Sequence, residues 1–275
     1  MNKRNSILTV ITPTYNRSDL LAKLKTSLDA QACYSFKWLI IDDGSSDETE
    51  QTCKKWITEA SQYEIEYVKQ VNGGKHRAVN HGITLVSTAL AVIVDSDDIC
   101  LPNFIEEIYN GWDKYSSNQD VGCVSFLCQN ENGEILPEKF PYNEVVERHF
   151  ILTYKYGIHG DKVDVFRAEA LKENLFPEID GEKFITEEVV WNRIAKKWKK
   201  VGINQSILEH VYFDDGLTKK YSELLINNHQ GTALYFKERA GLNIGLYLKI
   251  RSLLSYVKFK LVKYPKVKSY FLNRI

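Results

Sequence analysis

Ala89-Leu90-Ala91-Val92-Ile93-Val94-Asp95-Ser96-Asp97-Asp98 is an apolar run of strand length that ends abruptly in three carboxylates within four positions. Ala91 to Val94 are small or β-branched, which predicts a strand buried on both faces in a sheet covered by helices. Asp95, Asp97 and Asp98 then stand at its carboxyl end, the edge where open α/β sheets bind ligands. Like charges packed together repel, so they need a cation or a hydrogen-bonding shell. Oxygen-only donors suit Mg2+ or Mn2+, ions that also hold substrate phosphates. The bland alternative is a solvated acidic turn ahead of a helix starting at Leu101-Pro102. The rest of the chain decides between the two.

Upstream, Ile7-Leu8-Thr9-Val10-Ile11 is a short strand broken by Thr12-Pro13-Thr14-Tyr15-Asn16-Arg17. A proline has no place inside a central strand, so the strand is expected to end at Pro13. Ser18 can cap a helix whose Leu20, Leu21, Leu24 and Leu28 share one face. Trp38-Leu39-Ile40-Ile41 is a second strand, ending in Asp42-Asp43-Gly44-Ser45. Ile65-Glu66-Tyr67-Val68 is a third; Asn72-Gly73-Gly74 then turns into a helix opened by Lys75-His76-Arg77. Strand and helix alternating over short loops predict a parallel sheet wound by helices. The polar strand ends then converge on one edge. A nucleotide fits this set: a carboxylate accepts from base or ribose, Tyr15 stacks, Lys75 or Arg17 meets phosphate, and a metal bridges the diphosphate.

Composition narrows the class. The 275 residues are 44% apolar and 26% charged, ordinary for a globular protein with a full core. With 36 basic and 36 acidic residues the formal charge is zero, which argues against a nucleic-acid partner. Five cysteines without a C-x-x-C pair (Cys33, Cys53, Cys100, Cys123, Cys128) predict reduced thiols in a cytoplasmic protein. The polar start predicts no signal peptide, and no uninterrupted apolar stretch is long enough for a spanning helix.

Four blocks, Thr-Val-Ile-Thr-Pro-Thr-Tyr-Asn-Arg (9–17), Leu-Ile-Ile-Asp-Asp-Gly-Ser-Ser-Asp (39–47), Asn-Gly-Gly-Lys-His-Arg-Ala-Val-Asn-His-Gly (72–82) and Val-Asp-Ser-Asp-Asp (94–98), occur in this order. Together they resemble the family 2 glycosyltransferases of the GT-A fold, closely over about the first 110 residues and more loosely to about residue 215. The resemblance implies an α/β, Rossmann-like, mostly parallel sheet flanked by helices. It also implies a nucleotide-diphospho-sugar donor, most commonly a UDP-sugar, Mn2+ or Mg2+, and hexosyl transfer with inversion. Carried over, Pro13, Tyr15 and Arg17 line the nucleotide. Asp43 accepts from the base with Asp42 in support, and Lys75 approaches the diphosphate. Asp95, Ser96 and Asp97 form the D-x-D element: Asp97 is the direct metal ligand, Asp95 a ribose, sugar or metal contact, and Ser96 a donor contact. The third block departs from relatives, which often carry Arg-Asn before the glycine where this chain has Asn80-His81-Gly82. Which of Lys75, His76 and Arg77 touches phosphate stays open.

In the second half, His159 to Arg167 sets ionisable groups beside a strand and reads as a pocket wall. Phe184-Ile185-Thr186-Glu187-Glu188 precedes Val189-Val190-Trp191-Asn192-Arg193. Inverting transfer needs a base to deprotonate the acceptor hydroxyl. The segment is similar to the family's Glu-Asp pair before a Trp-x-Arg-like helix, although Asp is replaced by Glu. Spacing from Trp191 favours Glu187 as the base, and the pair matched letter by letter favours Glu188. A last short strand is expected over 206–212; Asp215, in Tyr212 to Thr218, is a secondary site residue, and a helix of mixed charge is expected over 220–239. From 242 to 275 eight basic residues and no acidic one are interleaved with apolar residues; such a segment can lie on an anionic membrane surface.

The expected organisation is a catalytic domain over 1–219, with a donor half at 1–118 and an acceptor half at 119–219, and a basic helical extension over 220–275. The expected partners are the donor and a glycan or lipid-linked glycan acceptor of surface polysaccharide synthesis, with peripheral contact on the cytoplasmic face of the inner membrane. The competing reading is an inactive GT-A scaffold that binds nucleotide or a partner protein.

Overall fold

The computed structural model describes residues 7–59, 61–136, 138–211 and 221–264. The chain forms two compact units: Met1–Leu175 with Ile194–Val211, and Phe176–Arg193 with Tyr212–Ile275.

The first unit opens as β1 (Leu8–Thr14), α1 (Ser18–Asp29), β2 (Phe36–Asp42), α2 (Thr49–Thr58), β3 (Glu64–Lys69), α3 (Lys75–Leu85) and β4 (Leu90–Ile93). It continues with β5 (Ile99–Cys100), α4 (Phe104–Asp113), β6 (Val121–Gln129), β7 (Glu144–Glu147), α5 (His149–Lys155), β8 (Val163–Arg167) and α6 (Ala168–Lys172). Helix α7 (Glu188–Lys197) starts in the second unit and leads into β9 (Lys199–Glu209) of the first. The sheet runs β3-β2-β1-β4-β8-β6-β9-β5, with β7 on β9. The first four strands are parallel; β8 then pairs antiparallel with β4 and β6, while β6 and β9 are parallel. The α/β sheet flanked by helices is the expected one, with antiparallel neighbours beyond β4.

β1 is buried along its whole length, as a strand covered on both faces must be. It does not stop at Pro13. Residues alternate the side to which their backbone groups point, and Ile11 O on the β4 side accepts from Val94 N. Pro13 points to the same side, where β4 pairs only as far as Ile11, so no neighbour asks for the missing N–H. Helix α3 approaches β1 through Gly82; a Cβ there would stand 2.6 Å from Ile11 Cγ2. Leu8, Val10, Leu21, Leu24, Trp38, Ile40 and Phe104 belong to the main core, each fully buried. Each such aliphatic side chain contributes about 1.5–3 kcal/mol by leaving water.

Ser18 is the first residue of α1 without a side-chain cap of its own; Asp47 Oδ2 accepts its N–H instead. The stretch read as a pocket wall has structural work for two of its residues. Asp164 accepts from the buried Lys200 ammonium at 2.6 Å and from Ser125 Oγ at 2.5 Å. The Arg167 guanidinium donates to the carbonyls of Val121, Ser116 and Asn118.

The second unit contains α8 (Tyr221–Asn227), α9 (His229–Ala240) and α10 (Leu246–Leu261). Where one helix over 220–239 was expected, Asn228 divides two. Its Oδ1 accepts from the N–H groups of Lys183 (2.9 Å) and Phe184 (3.2 Å). Buried Glu182 accepts from Gln230 N and Gly231 N, both at 2.7 Å, satisfying donors in the first turn of α9.

Candidate functional site

The parallel register aligns Thr14, Asp42 and Lys69 at the carboxyl ends of β1, β2 and β3. With β2 and β3 on one side of β1 and β4 on the other, the strand order reverses between β1 and β4, where such sheets open a crevice. Residues from both flanks meet there. Arg17, just after β1, forms a short ion pair with Asp97, just after β4. Lys75, the first residue of α3, donates to Asp95 Oδ2 at 2.8 Å. Both cations are about a third exposed, and Asp97 is 15% exposed.

Asp98 N donates to Asp95 O at 3.1 Å and closes a turn that leaves Ser96 and Asp98 buried. β5 pairs with β9 through Ile99 and Glu209, so the adjoining Asp98 and His210 face each other; His210 Nδ1 lies 2.6 Å from Asp98 Oδ1. Burial, together with the charges of Asp95 and Asp97, pushes Asp98 up to about 6 against the bond from His210. The same bond raises His210 to about 9 against its own burial. Burial opposes the ionisation of Asp95, but Lys75, with smaller contributions from His210 and Arg17, holds the carboxyl below its ordinary value.

Asp42 and Asp43 play different parts. Asp42 is fully buried and accepts from Ser45 N at 2.7 Å and Tyr67 Oη at 2.5 Å. Asp43 gathers the loop before α3: Oδ1 accepts from Gly73 N and Gln70 Nε2, both at 2.8 Å, and Oδ2 from Gly74 N at 2.7 Å. A carboxylate has about four acceptor positions, which leaves one on Oδ2. Gly44 has φ +84°, and a Cβ there would lie 3.0 Å from Asn72 N, so only glycine lets this loop close.

Tyr15 is 48% exposed and followed by Asn16 in the left-handed region at φ 51°. Asn16 is held there by its N–H to Ser45 Oγ (2.9 Å) and by Ser46 N to its Oδ1 (2.8 Å). Of the three basic candidates in the third block, His76 is buried, Arg77 donates to Gly73 O at 3.0 Å, and Lys75 reaches the acid cluster.

The structure thus brings Arg17, Lys75, Asp95, Asp97 and Asp98 together. It adds His210, which sequence reasoning missed; a lone histidine after a strand carries no spacing signal. Glu187 and Glu188 belong to the second unit, at the start of α7. Glu187 O accepts from Val190 N and Trp191 N, and Glu188 Oε2 accepts from Asn192 Nδ2 at 3.2 Å. Arg193, one turn on, is held bidentately by Glu238 at 2.9 and 2.6 Å. Asp215 lies outside the described residues.

Among the described residues no group of three or more His, Cys, Asp or Glu is arranged to hold a metal ion. Asp95 and Asp97 nevertheless suit Mg2+ or Mn2+. They are oxygen donors, each already drawing a cation, and such ions are commonly bound by one or two carboxylates with substrate phosphates completing the shell.

Residues 9–174 match the family described as Glycosyl transferase family 2. The glycosyltransferase GlyG of Streptococcus pneumoniae serotype 4 is 28% identical over 214 residues, 74% of this chain and 70% of GlyG. Other curated relatives are longer; the chain covers 16% and 23% of the length of two of them. Among solved structures, S. aureus TarS 1-349 in complex with UDP-GlcNAc superposes with TM-score 0.66 at 17% identity, over 92% of this chain and 72% of that one. The mannosyltransferase PcManGT from Pyrobaculum calidifontis, in complex with GDP-Man and Mn2+, gives TM-score 0.62 at 16% identity, over 98% and 75%.

Proposed function

The chain belongs to glycosyl transferase family 2, and we propose that it transfers a hexosyl group from a UDP-sugar to a hydroxyl of a glycan or lipid-linked glycan, with inversion. The observation that carries this reading is the charged cluster at the β1/β4 crevice, where Arg17 and Lys75 sit on Asp97 and Asp95. The family match and the fold shared with sugar-nucleotide-bound structures support it.

Asp97, with Asp95, would hold Mn2+ or Mg2+ together with the donor's diphosphate, and the ion would neutralise charge on the leaving nucleotide. Arg17 and Lys75 would pair with the donor's phosphates. Tyr15 offers its exposed ring to the base, Pro13 shapes the strand end beneath it, and the remaining acceptor position of Asp43 meets a base N–H. Asp42 keeps the Asp43 loop in register, and Ser96 fixes the turn between the two ligands. Glu187 would take the proton of the acceptor hydroxyl as that oxygen attacks the anomeric carbon, with Glu188 the alternative base.

The reading places the enzyme in the cytoplasm, in surface polysaccharide synthesis. Steady-state transfer by Glu187→Gln and Glu188→Gln tests it. Loss of about 100-fold or more in kcat in one variant, with nucleotide affinity retained, is expected of a base. Unchanged kcat in both would remove the proposed base.

A further inference from the structure

Helix α10 has two apolar faces. One packs within the second unit: Phe259 and Val262 are buried with Ala233 and Ile226, and the Phe259 ring stacks on Phe236 at 5.5 Å. Ser252, on the same side, accepts from Arg239 Nε at 2.8 Å. At about 100° per residue the opposite side carries Leu246, Ile250, Leu253, Leu254, Val257 and Leu261. These are between 47% and 74% exposed. Exposed Tyr247 and Tyr264 stand near the two ends of this stripe.

The charges are arranged about the stripe. On the same helical wheel Lys249 and Lys260 border one edge and Arg251 and Lys258 the other. Eight of the chain's basic residues fall between 242 and 275, and none of its acidic ones does. An apolar stripe with cationic margins matches one chemistry, a surface of acyl chains beneath anionic headgroups. Tyrosines at the ends suit the headgroup level, where a ring and a hydroxyl are both accommodated. A second copy of the chain fits poorly, because a two-fold contact along the stripe would set the basic margins of two segments together, and neither segment 242–275 carries an acid. No helix among the described residues is long and apolar enough to cross a membrane, so the surface would be met in the plane.

We propose that α10 is a membrane-docking helix, which lies on an anionic lipid surface through its outward stripe while its inward face stays packed on α9. This surface is independent of the transferase chemistry.

Co-sedimentation of the full chain with vesicles tests it, using about 30% phosphatidylserine in phosphatidylcholine against phosphatidylcholine alone. Binding to the anionic vesicles at least tenfold tighter than to the neutral ones, and weakened by about 1 M salt, is expected. The double variant L253E/L254E should lose that binding while keeping its melting temperature, since both side chains are exposed in the folded chain. The charge variant K249Q/K260Q should bind about 25-fold more weakly, about fivefold for each charge removed, and carries the same test should the glutamates disturb folding. Equal partition to both vesicle types, or none to either, would overturn the proposal. So would a concentration-dependent dimer abolished by L253E/L254E with no vesicle binding, or an acidic protein partner that competes for the stripe in place of lipid.

Discussion

His210 Nδ1 and Asp98 Oδ1 lie 2.6 Å apart although 112 residues separate them in the chain. The bond ties the turn after β4 to the end of β9, so the acid cluster is fastened to the far side of its own sheet. His210 is raised from its ordinary value to about 9, chiefly by this bond. A histidine raised on folding contributes stability that is fully present below about pH 6.5 and is lost as pH rises through about 9.

The imidazole of His210 is accordingly expected to titrate near 9 by NMR. His210→Gln should remove about 2 kcal/mol of stability at pH 6 and much less at pH 10. A His210 titrating at 6.5, or a destabilisation independent of pH, would contradict the ion pair.

Asp43 organises a loop and offers a contact at once. Asp43→Asn turns one carboxylate oxygen into a donor facing a backbone N–H, with a cost of about 1–3 kcal/mol. Urea denaturation should report that loss, and nucleotide affinity should fall with it. A variant as stable as the parent would mean that the bonds to Gly73 and Gly74 are dispensable.

Asn228 holds the segment leading to Glu187 through two backbone N–H groups. Asn228→Ala should lower kcat by about tenfold or more and leave nucleotide affinity unchanged, with about 1–2 kcal/mol lost in stability. A fall in nucleotide affinity with kcat unchanged would show that the segment serves donor binding instead.

The first half of the sheet was legible because β1, β2 and β4 are buried nearly throughout and are punctuated by Asp, Gly and Pro. Lys75 and Asp95 could be named from their places at strand and helix ends, although their ion pair could not. Sequence reasoning failed where tertiary pairing decides. β5 is two residues long and exists because β9 pairs with it. β9 begins at Lys199, well before the strand expected over 206–212, because β6 pairs with it from Lys199 and β7 from Lys200. Asn228 reads as an ordinary helix residue until Lys183 and Phe184 are seen to donate to it. Pro13 looked like a strand end because the length of its neighbour β4 is not written locally.

Donor and metal binding are the centre of the account, and a thermal-shift panel of UDP, GDP, dTDP and CMP, each with Mn2+ and with EDTA, tests both. A nucleotide at a hundred times its dissociation constant adds about 2.7 kcal/mol. The account predicts a clear rise in melting temperature with UDP and Mn2+, lost with EDTA and in Asp97→Asn. No rise with any of the four nucleotides would contradict it and favour a scaffold that has lost its donor site.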